Sequence, residues 1–315
     1  MTSEPMSAES GQLFALLGAT ASGKSVTAVD IARRRSAAGR PTEIVAIDAF
    51  TVYQGMDIGT AKPSTAIRAE IPHHMIDVYT PDSDVAVAQF QHDARTIIEA
   101  RLARGTDLIL VGGSGLYWRA VVDDLRFPPT DLAVRQTLES TYPSVAKAHA
   151  ALERTDPVAA AHLAPNNYRR VIRALEVGQL TGESFAAFHT QWESFVSRYD
   201  RLTVGYLNPD TAVLHAAIAE RAQKMLEQGL LAEAQALRAR WPLSRTASQG
   251  IGYAEAFAVL DGAAPLDSLA EAIAVRTRRY ARRQRTWFRG DPRCVAQSAE
   301  TLTTLWSEPN GLSHA

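Results

Sequence analysis

The residues with the clearest chemistry form a glycine-rich stretch near the start of the chain. Residues 18–25 read Gly-Ala-Thr-Ala-Ser-Gly-Lys-Ser, follow the apolar run 13–17 and precede a helical pattern from Val26 to about Arg34. A loop of this kind between a strand and a helix turns its backbone N–H groups toward phosphate oxygens. Lys24 would add a positive charge, and the Ser25 hydroxyl could bind a magnesium ion. The pattern predicts a phosphate-binding loop but leaves open hydrolysis, transfer or simple binding.

Two further polar side chains follow predicted strands. Asp48 ends the β-branched run 43–48, and Ser114 lies within the Gly-Gly-Ser-Gly stretch after the apolar run 107–111. Ligands of an open parallel sheet bind outside the carboxyl ends of its strands, so we expect both side chains at the edge that holds the phosphate loop. Asp48 could accept a proton or bind a metal, and Ser114 could donate a hydrogen bond to a leaving oxygen. A solvated carboxylate and a simple tight turn are the structural alternatives.

A strongly basic segment lies near the C-terminal end of the chain. Seven arginines occur between residues 276 and 289, and no acidic residue stands among them. Helical spacing places four arginines roughly opposite four apolar or aromatic residues: Arg278, Arg282, Arg285 and Arg289 against Leu269, Ile273, Tyr280 and Trp287. In a chain of net charge −1, this pattern favours a local polyanion-binding face over a solvated helix surface.

A second, smaller basic cluster consists of Arg169, Arg170 and Arg173, with Tyr168 beside them. It lies in a different part of the chain from the arginines of 276–289. Two basic surfaces suggest a clamp around a nucleic acid. His73 and His74 are adjacent and cannot both point at one ligand from a strand, so we assign them a structural role.

The composition describes a soluble protein with a large core. The chain has 315 residues, of which 46% are hydrophobic, enough for one large or two modest domains. The residues before Gly11 lack the apolar run of a signal peptide and no 18-residue apolar stretch occurs, so we expect a cytoplasmic protein without a membrane partner. Cys294 is the only cysteine, which excludes an internal disulfide and a cysteine zinc cluster. Nothing requires an oligomer, and we expect a monomer.

The order of predicted elements indicates an α/β fold with a P-loop NTPase-like core. Residues 12–127 and 201–306 would form a parallel sheet flanked by helices, with a returning strand at 202–207. Residues 128–200 would form an inserted all-helical lobe, including helices over 131–141 and 167–180. Further helices are predicted near 87–104, 211–228, 231–240 and 267–289, and the tails 1–11 and 307–315 are predicted to be disordered.

Together these motifs resemble the tRNA dimethylallyltransferases, also called tRNA isopentenyltransferases, of the bacterial type. The resemblance covers nearly the whole chain. Its most specific part is Met-Asp-Ile-Gly-Thr-Ala-Lys-Pro at residues 56–63. It also includes the stretches 18–25, 47–48, 53–63, 72–77, 111–117, 173–177, 252–253 and 283–289.

The resemblance implies magnesium-assisted transfer of a dimethylallyl group from dimethylallyl diphosphate to an adenosine of tRNA. The acceptor would be the exocyclic amine of the adenosine just 3′ of the anticodon, in tRNAs that read codons beginning with U, and the product would be isopentenyladenosine. No ATP hydrolysis is implied, although the loop matches the motif of ATP-binding proteins. The diphosphate would be bound by Gly18, Ala19, Thr20, Ala21, Ser22, Gly23, Lys24 and Ser25, and Ser25 would also contact Mg²⁺.

The resemblance also implies three catalytic residues. Asp48 would take the proton from the adenine amine. Ser114, where the family usually has threonine, would donate a hydrogen bond to the oxygen that links the dimethylallyl group to the diphosphate. Arg221, which by itself would be interpreted as a solvated surface arginine, would bind the diphosphate and offset the charge that develops on it.

The same resemblance places the anticodon stem-loop against several segments, with the target base flipped out of its stack. The implied tRNA contacts are Asp48, Ala49, Phe50, Thr51, Ser114, Arg135, Arg169, Arg170, Val171, Ile172, Arg173, Gln249, Gly250, Ile251, Gly252, Tyr253, Ala254, Arg282, Gln284, Arg285, Trp287 and Arg289. The chain departs from the family pattern at residues 49–51, at Ala164, where histidine is common, and at Ala217, where many members have a second arginine.

Three alternative functions remain at this point. An adenylate isopentenyltransferase would act on a free nucleotide, for which the lobe and the arginine clusters would be superfluous. A P-loop kinase would need an acid at the end of the strand 107–111, where glycines and Ser114 stand instead. A catalytically weak RNA-binding relative would bind RNA without turnover.

Overall fold

A computed structural model describes residues 10–188, 192 and 194–308 of the chain. Of the disordered tails predicted over residues 1–11 and 307–315, residues 1–9 and 309–315 lie outside the described residues. Ser307 is the last residue of a helix, so the prediction is wrong there. The described chain forms two compact units. The larger comprises residues 10–85, 89–122 and 199–308, and the smaller comprises residues 86–88 and 123–198, with 189–191 and 193 not described.

A parallel sheet forms the centre of the larger unit. In chain order its strands are β1 Leu13–Gly18, β2 Thr42–Ile47, β3 His73–His74, β4 Asp107–Gly112, β5 Leu202–Leu207 and β6 Ala296–Gln297. They are arranged in the order β3-β2-β4-β1-β5-β6. β1 and β4 are buried at every position, which explains why their sequences are nearly continuous apolar runs. The edge strands β3 and β6 have two residues each and carry no such pattern, so the sequence alone does not predict them.

The helices are numbered in chain order across both units. Their bounds are α1 Lys24–Ala37, α2 Thr65–Glu70, α3 Val87–Leu102, α4 Gly115–Val122, α5 Leu132–Thr141, α6 Val145–Thr155, α7 Pro157–His162, α8 Tyr168–Thr181, α9 Thr211–Glu227, α10 Leu230–Arg240, α11 Arg245–Ser248, α12 Tyr253–Leu260, α13 Leu269–Arg289 and α14 Ala299–Ser307. Short 3₁₀ segments lie at Phe185–Phe188 and Leu266–Ser268. None of the helices in the described ranges is both long enough and apolar enough to span a bilayer.

Side chains that alternate along β1 pack on opposite faces of the sheet. Phe14 and Leu16 belong to a core with α1 and α14, in which the rings of Phe14 and Trp306 lie 5.1 Å apart. Leu17, which follows Leu16 in the alternation, belongs to a larger core that includes side chains of α3, α9 and α13. Helices therefore cover both faces of a parallel sheet, which confirms the predicted α/β class.

The end of the sheet opposite the strands' carboxyl ends is tied together by buried polar groups. Arg35 donates to Asp107 Oδ2 at 2.6 Å and to the Trp306 carbonyl at 2.5 Å, and both charged side chains are inaccessible. Gly11 is also buried, and its N–H donates to the Leu102 carbonyl. The prediction of a disordered tail is therefore wrong at Gly11, because the backbone here pairs with the end of α3.

The smaller unit is helical, and its described residues contain α5 to α8 around one apolar core. Asp131 accepts from Ala133 N at 2.8 Å and from Val134 N, and Asn167 accepts from Arg170 N. These side chains cap α5 and α8. The predicted helices 131–141 and 167–180 are therefore confirmed, each with its first residue serving as the cap.

Candidate active site at the carboxyl ends of the strands

The three predicted loops leave the sheet next to one another. β4 lies between β1 and β2, and Gly112 is opposite both Leu17 and Ile47. A Cβ at Gly112 would lie 2.7 Å from the Ile47 carbonyl oxygen, so only glycine fits this close approach. The next residues along the three strands are Gly18, Asp48 and Gly113. The phosphate loop, the carboxylate and the glycine-serine loop therefore emerge at one edge of the sheet.

The phosphate loop has a backbone that side chains rarely adopt. Gly23 has φ 90° and Ala21 has φ 62°, both in the left-handed region, which costs the alanine conformational energy. Gly23 is the N-cap of α1, so no side chain caps the first N–H groups of this 14-residue helix. The Ser22 hydroxyl is buried and has no hydrogen-bond partner in the described part of the chain. These donors suit an anion at the helix N-terminus.

Two cations and one carboxylate share this edge. Burial, and next the charge of Arg221, lower the pKa of Lys24 to about 8, against the opposing effect of Asp48. Burial likewise lowers the pKa of Arg221, again opposed by Asp48. The Lys24 ammonium donates to the Ala19 carbonyl at 3.1 Å. An anionic ligand would favour the charged form of both side chains, so this half-buried pair of cations is a candidate anion site.

Arg221 bridges two walls of the site from α9. Its Nη1 donates to Thr20 Oγ1 at 3.2 Å in the phosphate loop, and its Nη2 donates to the Thr60 carbonyl at 3.4 Å. The sequence alone suggests a solvated arginine here, and only the resemblance selects it. The sequence carries one signal that Arg221 faces inward: the residues three before and four after it, Ile218 and Met225, are apolar. Both are buried in the structure.

Asp48 is oriented by the backbone that follows it. Its Oδ1 accepts from Phe50 N at 2.8 Å and from Thr51 N at 3.3 Å, the pattern of an Asx turn. Burial, and next the charge of Asp48, raise the pKa of the Tyr280 phenol, which stays protonated at neutral pH. The backbone therefore holds one carboxylate oxygen in place.

A cavity of about 250 Å³ opens at this edge. Its polar lining includes Thr20, Asp48 and Arg221. Much of the remaining lining is apolar and comes from Phe50, Ile218, Ala222, Met225, Ile251 and Ile273. A cavity with charged groups beside an apolar wall can hold a ligand that is part anion and part hydrocarbon.

The stretch 56–63 forms one wall of this cavity through a satisfied charge cluster. Lys62, whose side chain is 1% exposed, donates to the Tyr53 carbonyl and to the carboxylates of Asp57 and Asp77 at 2.6–2.7 Å. Arg68 also donates to Asp77 at 2.6 Å. Burial works to raise the pKa of Asp77, but the hydrogen bonds from Lys62 and Arg68 outweigh it and lower that pKa. This cluster fixes the loop that presents Thr60 to Arg221.

Glu233 on α10 and Tyr253 on α12 also hold this wall, although they lie 20 residues apart in the sequence. Glu233 accepts from Ile58 N at 3.0 Å and from the Tyr253 hydroxyl at 2.6 Å. Gly59 lies against the Tyr253 ring, where a Cβ would overlap the ring atoms. Tyr253 is buried, and its hydroxyl accepts from Gly59 N, so its side chain holds this loop in place.

The seven arginines of α13 differ in whether they contact another group of the protein. Arg276 donates to Glu255 and to the Gln249 carbonyl, each at 2.7 Å, and Arg278 donates to Glu271 at 2.6 Å. Arg285 donates to the Thr211 hydroxyl, and Arg283 lies over the Tyr280 ring and lines the cavity. Three others are exposed and pair with no acid within the described residues: Arg279, Arg282 and Arg289. The absence of acids inside 276–289 therefore does not leave every arginine free, since acids come from other positions.

Trp287 also departs from expectation. The helical pattern places it on the packed side of α13, but its side chain is 43% exposed. The buried positions near it are Gln284 and Phe288 instead. The Trp287 ring still covers Gly115, where a Cβ would lie 2.5 Å from the ring. An exposed aromatic ring next to exposed arginines is typical of a surface that stacks nucleobases.

In the smaller unit, the predicted RNA contacts separate by burial. Arg135 and Arg173 both donate to Glu176, at 2.9 Å, and Arg173 also donates to the carbonyls of residues 128 and 129. Burial works to raise the pKa of Glu176, but the hydrogen bonds it accepts, first from Arg173, lower it. Val171 and Ile172 lie in the apolar core, so direct side-chain contact with RNA is wrong for both. Arg169 and Arg170 are exposed.

Of the remaining predicted tRNA contacts, some line the cavity and others lie outside it. Asp48, Phe50, Gln249, Gly250, Ile251 and Tyr253 line the cavity. Gly252, with φ 95°, precedes α12, and Ala254 lies in its first turn. The Thr51 hydroxyl is buried and has no hydrogen-bond partner among the described residues. Gln284 is buried, with 4% of its surface exposed.

The phosphate loop fits a magnesium ion only together with a ligand. Ser25, in the first turn of α1, is exposed and offers a hard oxygen donor. Within the described residues no group of three or more histidine, cysteine, aspartate or glutamate side chains could hold a metal. Mg²⁺ often takes most of its ligands from phosphates and water. Ser25 and the oxygens of a phosphate ligand would together form a suitable donor set.

The chain is similar to a protein family, to individual proteins of known sequence and to solved structures. A family model described as IPP transferase matches residues 51–291. The tRNA dimethylallyltransferase of Kineococcus radiotolerans is 46% identical over 286 residues, which cover 89% of each chain. That of Pseudarthrobacter chlorophenolicus is 43% identical over 307 residues, which cover 96% of each chain.

Two solved structures are similar over most of their length. The tRNA isopentenylpyrophosphate transferase of Bacillus halodurans has a TM-score of 0.65 at 37% identity and covers 91% of this chain and 90% of its own. A eukaryotic dimethylallyltransferase described as acting on tRNA has a TM-score of 0.74 at 26% identity, covering 89% of this chain and 70% of its own. With more than half of its length matched by the family model and with relatives above 40% identity along most of it, the chain belongs to the IPP transferase family.

Proposed function

We propose that this protein transfers a dimethylallyl group from dimethylallyl diphosphate to the exocyclic amine of the adenosine just 3′ of the anticodon in tRNA. The observation that carries the proposal is the cavity where Asp48, Arg221 and Thr20 meet an apolar wall. An anion site beside an apolar surface matches a diphosphate joined to a short hydrocarbon. A carboxylate in the same cavity matches the need to accept a proton from an amine.

The donor would bind with its diphosphate in the loop 18–25. Lys24 and Arg221 would neutralise its charge, and the backbone N–H groups at the start of α1 would donate to phosphate oxygens. When bound, Mg²⁺ would supply further positive charge to the diphosphate, with Ser25 as its protein ligand. A bound diphosphate would give Lys24 an anionic partner and the buried Ser22 hydroxyl an acceptor.

In the transfer step, the adenine N6 forms a bond to C1 of the dimethylallyl group while the bond from C1 to the diphosphate oxygen breaks. The electron pair of that bond leaves with the diphosphate, whose charge Lys24 and Arg221 offset. Ser114, in the loop beyond β4, would donate a hydrogen bond to the departing oxygen. Asp48 takes the proton released from N6, and its orientation by Phe50 N and Thr51 N leaves Oδ2 to receive it.

The RNA would bind through the exposed arginines described above. Arg279, Arg282 and Arg289 in the larger unit, and Arg169 and Arg170 in the smaller one, face solvent. Phosphate contacts of this kind supply affinity in proportion to the number of counterions released. A free nucleotide would need none of them, which favours tRNA over adenosine monophosphate as the acceptor.

The experiment is to incubate the purified protein with Mg²⁺ and dimethylallyl diphosphate, together with either a tRNA whose anticodon loop has consecutive adenosines or free AMP. Mass spectrometry then detects a gain of one dimethylallyl group. We expect modified tRNA and unmodified AMP. Modified AMP with unmodified tRNA would contradict the proposal in favour of a nucleotide prenyltransferase, and tRNA binding without turnover would identify an RNA-binding relative.

A matched variant pair tests the role of Asp48. Asp48→Asn keeps the size of the side chain and an oxygen that can accept from Phe50 N, but it removes the proton acceptor. We expect transfer to fall by about 100- to 10,000-fold, with tRNA binding and inorganic diphosphate binding changed only a few-fold. The control is Asp82→Asn, an exposed carboxylate outside the cavity lining, which should leave transfer near the wild-type rate. Turnover near wild type in Asp48→Asn would remove Asp48 from the mechanism.

A further inference from the structure

Gln284 joins two loops of the candidate active site from inside the protein. It lies on α13, it is 4% exposed, and both ends of its amide are used. Its Oε1 accepts from Thr20 N at 2.9 Å, and its Nε2 donates to the Gly113 carbonyl at 2.8 Å. One side chain therefore bridges the phosphate loop and the glycine-serine loop.

The backbone groups that Gln284 contacts lie beyond the regular sheet. Thr20 follows the end of β1 at Gly18, and Gly113 follows the end of β4 at Gly112. Buried N–H and carbonyl groups in such positions need a partner other than the strand ladder. Gln284 supplies an acceptor to one and a donor to the other. The two loops are thereby held in register where the sheet no longer aligns them.

The fit between Gly113 and Gln284 is close. A Cβ at Gly113 would overlap the Nε2 atom of Gln284 and would lie 3.1 Å from the Gly18 carbonyl oxygen. The glycine is therefore required at this position by the amide of Gln284 and by the phosphate loop together. The hydrogen bond from Gln284 to the Gly113 carbonyl therefore depends on both residue types, the amide of Gln284 and the missing side chain of Gly113.

The two loops carry the groups that would act on the donor. The Thr20 hydroxyl accepts from Arg221 Nη1, and Gly113 is followed directly by Ser114. A shift of the phosphate loop relative to the other loop would move the diphosphate away from Ser114. Transfer reactions are sensitive to such displacements, because the reacting atoms must be aligned.

We propose that Gln284 is a positioning residue that sets the phosphate loop against the Ser114 loop, and that it is not a tRNA contact. The proposal rests on the proposed function. The family resemblance groups Gln284 with the RNA-binding residues around it, such as Arg282 and Arg289. Those two are exposed, whereas Gln284 lies on the opposite side of α13 and is engaged with the donor site.

The experiment compares Gln284→Met with Arg279→Gln. Methionine has nearly the length of glutamine but cannot bond to Thr20 N or to the Gly113 carbonyl. Arg279 is exposed on the same helix and forms no ion pair within the described residues. For each variant, calorimetry measures the dissociation constant of inorganic diphosphate, filter binding that of tRNA, and steady-state kinetics the KM for dimethylallyl diphosphate and kcat.

We expect Gln284→Met to weaken inorganic diphosphate binding by about tenfold and to lower kcat as well, with tRNA binding within about twofold of wild type. Arg279→Gln should show the reverse pattern, with weaker tRNA binding and unchanged diphosphate binding. Weaker tRNA binding with unchanged diphosphate binding in Gln284→Met would overturn the proposal in favour of an RNA contact. Reduced thermal stability with all binding constants unchanged would reduce Gln284 to a packing residue.

If Gln284→Met does not fold, the variant Gly113→Ala tests whether Gln284 positions the two loops. Gly113→Ala places a methyl group where the amide of Gln284 lies, so it should reproduce the loss of diphosphate binding. In the double variant Gln284→Ala with Gly113→Ala, the methyl group enters vacated space, and the combined effect should be smaller than the sum. Unchanged diphosphate binding in Gly113→Ala would overturn the proposal. Because these readouts use inorganic diphosphate, they stand even if the wild-type protein fails to modify tRNA, which would contradict the proposed function alone.

Discussion

Two lysines of the larger unit, Lys62 and Lys24, differ in the groups that surround their ammonium groups. Lys62 is surrounded by acceptors, namely the carboxylates of Asp57 and Asp77 and the Tyr53 carbonyl. Lys24 instead donates to the Ala19 carbonyl, and burial with the nearby Arg221 lowers its pKa to about 8. A buried cation with carboxylate partners stabilises a loop, whereas a buried cation beside another cation is suited to a ligand.

The arginines follow the same division. Arg135 and Arg173 share the buried Glu176, and Arg278 pairs with Glu271. Arg282 and Arg289 pair with no acid in the described part of the chain and are exposed. Arginines of the same residue type therefore differ in whether an acid of the protein already pairs with them. Single substitutions that remove one charge of each kind distinguish the paired charges from the unpaired ones.

Among the substitutions of cations, Lys24→Met should have the largest effect. This change removes a charge that would stabilise the leaving diphosphate, and we expect kcat/KM for transfer to fall by about 100- to 1000-fold. Thermal unfolding should stay at or above the wild-type midpoint, since a buried cation without a carboxylate partner is removed. Steady-state kinetics and calorimetric unfolding measure the two properties. A large loss of stability would show that Lys24, like Lys62, is a structural charge.

Lys62→Met should show the opposite combination. It leaves the carboxylates of Asp57 and Asp77 without their shared cation, and we expect the free energy of unfolding to fall by about 2–3 kcal/mol, less than for a fully buried pair because both acids keep some contact with water. Inorganic diphosphate binding should change by less than the effect of Lys24→Met. Chemical denaturation and calorimetry test this. An unchanged free energy of unfolding would contradict the assignment of Lys62 to loop stabilisation.

The pH dependence of diphosphate binding sharpens the contrast. The pKa of Lys24 is lowered to about 8, so the free protein carries this charge below about pH 8 and loses it above. Binding of inorganic diphosphate should then require proton uptake, and affinity relative to Lys24→Arg, which stays charged, should fall by up to about tenfold per pH unit above 8. Calorimetry at about pH 7, 8 and 9 measures the ratio, in which the ligand's own ionisation cancels. A constant ratio would place the pKa of Lys24 above this range.

The smallest effect concerns single arginines on α13. Replacing Arg282 with glutamine should reduce the slope of log affinity against log salt for tRNA by about 0.7–0.9, the contribution of one phosphate contact. Arg278→Gln is the matched control, because Arg278 already pairs with Glu271. Its slope should stay at the wild-type value. Equal slopes for both variants would mean that ion pairing within the protein does not distinguish RNA-binding arginines from structural ones.

Much of the central architecture could be predicted from local sequence patterns. The apolar runs of β1 and β4 reflect strands buried on both faces, and the periodicity of α13 reflects one packed side. The order of strand, glycine loop and helix is enough to place residues 18–25, Asp48 and Ser114 at strand ends. The two-residue edge strands β3 and β6 could not be found, because their sequences are too short to carry a pattern.

The phosphate loop, Asp48 and the arginine-rich helix can be located from the sequence alone, because each follows from its neighbours along the chain. The surroundings of Arg221, Gln284 and Trp287 became visible only in the folded chain. Arg221 becomes part of the site because α9 packs it against Thr20, Gln284 is buried between two loops, and Trp287 is exposed although helical spacing predicts otherwise. The physical reason is that the energy of a charged or polar group depends on its partners, and these partners are far away in the sequence.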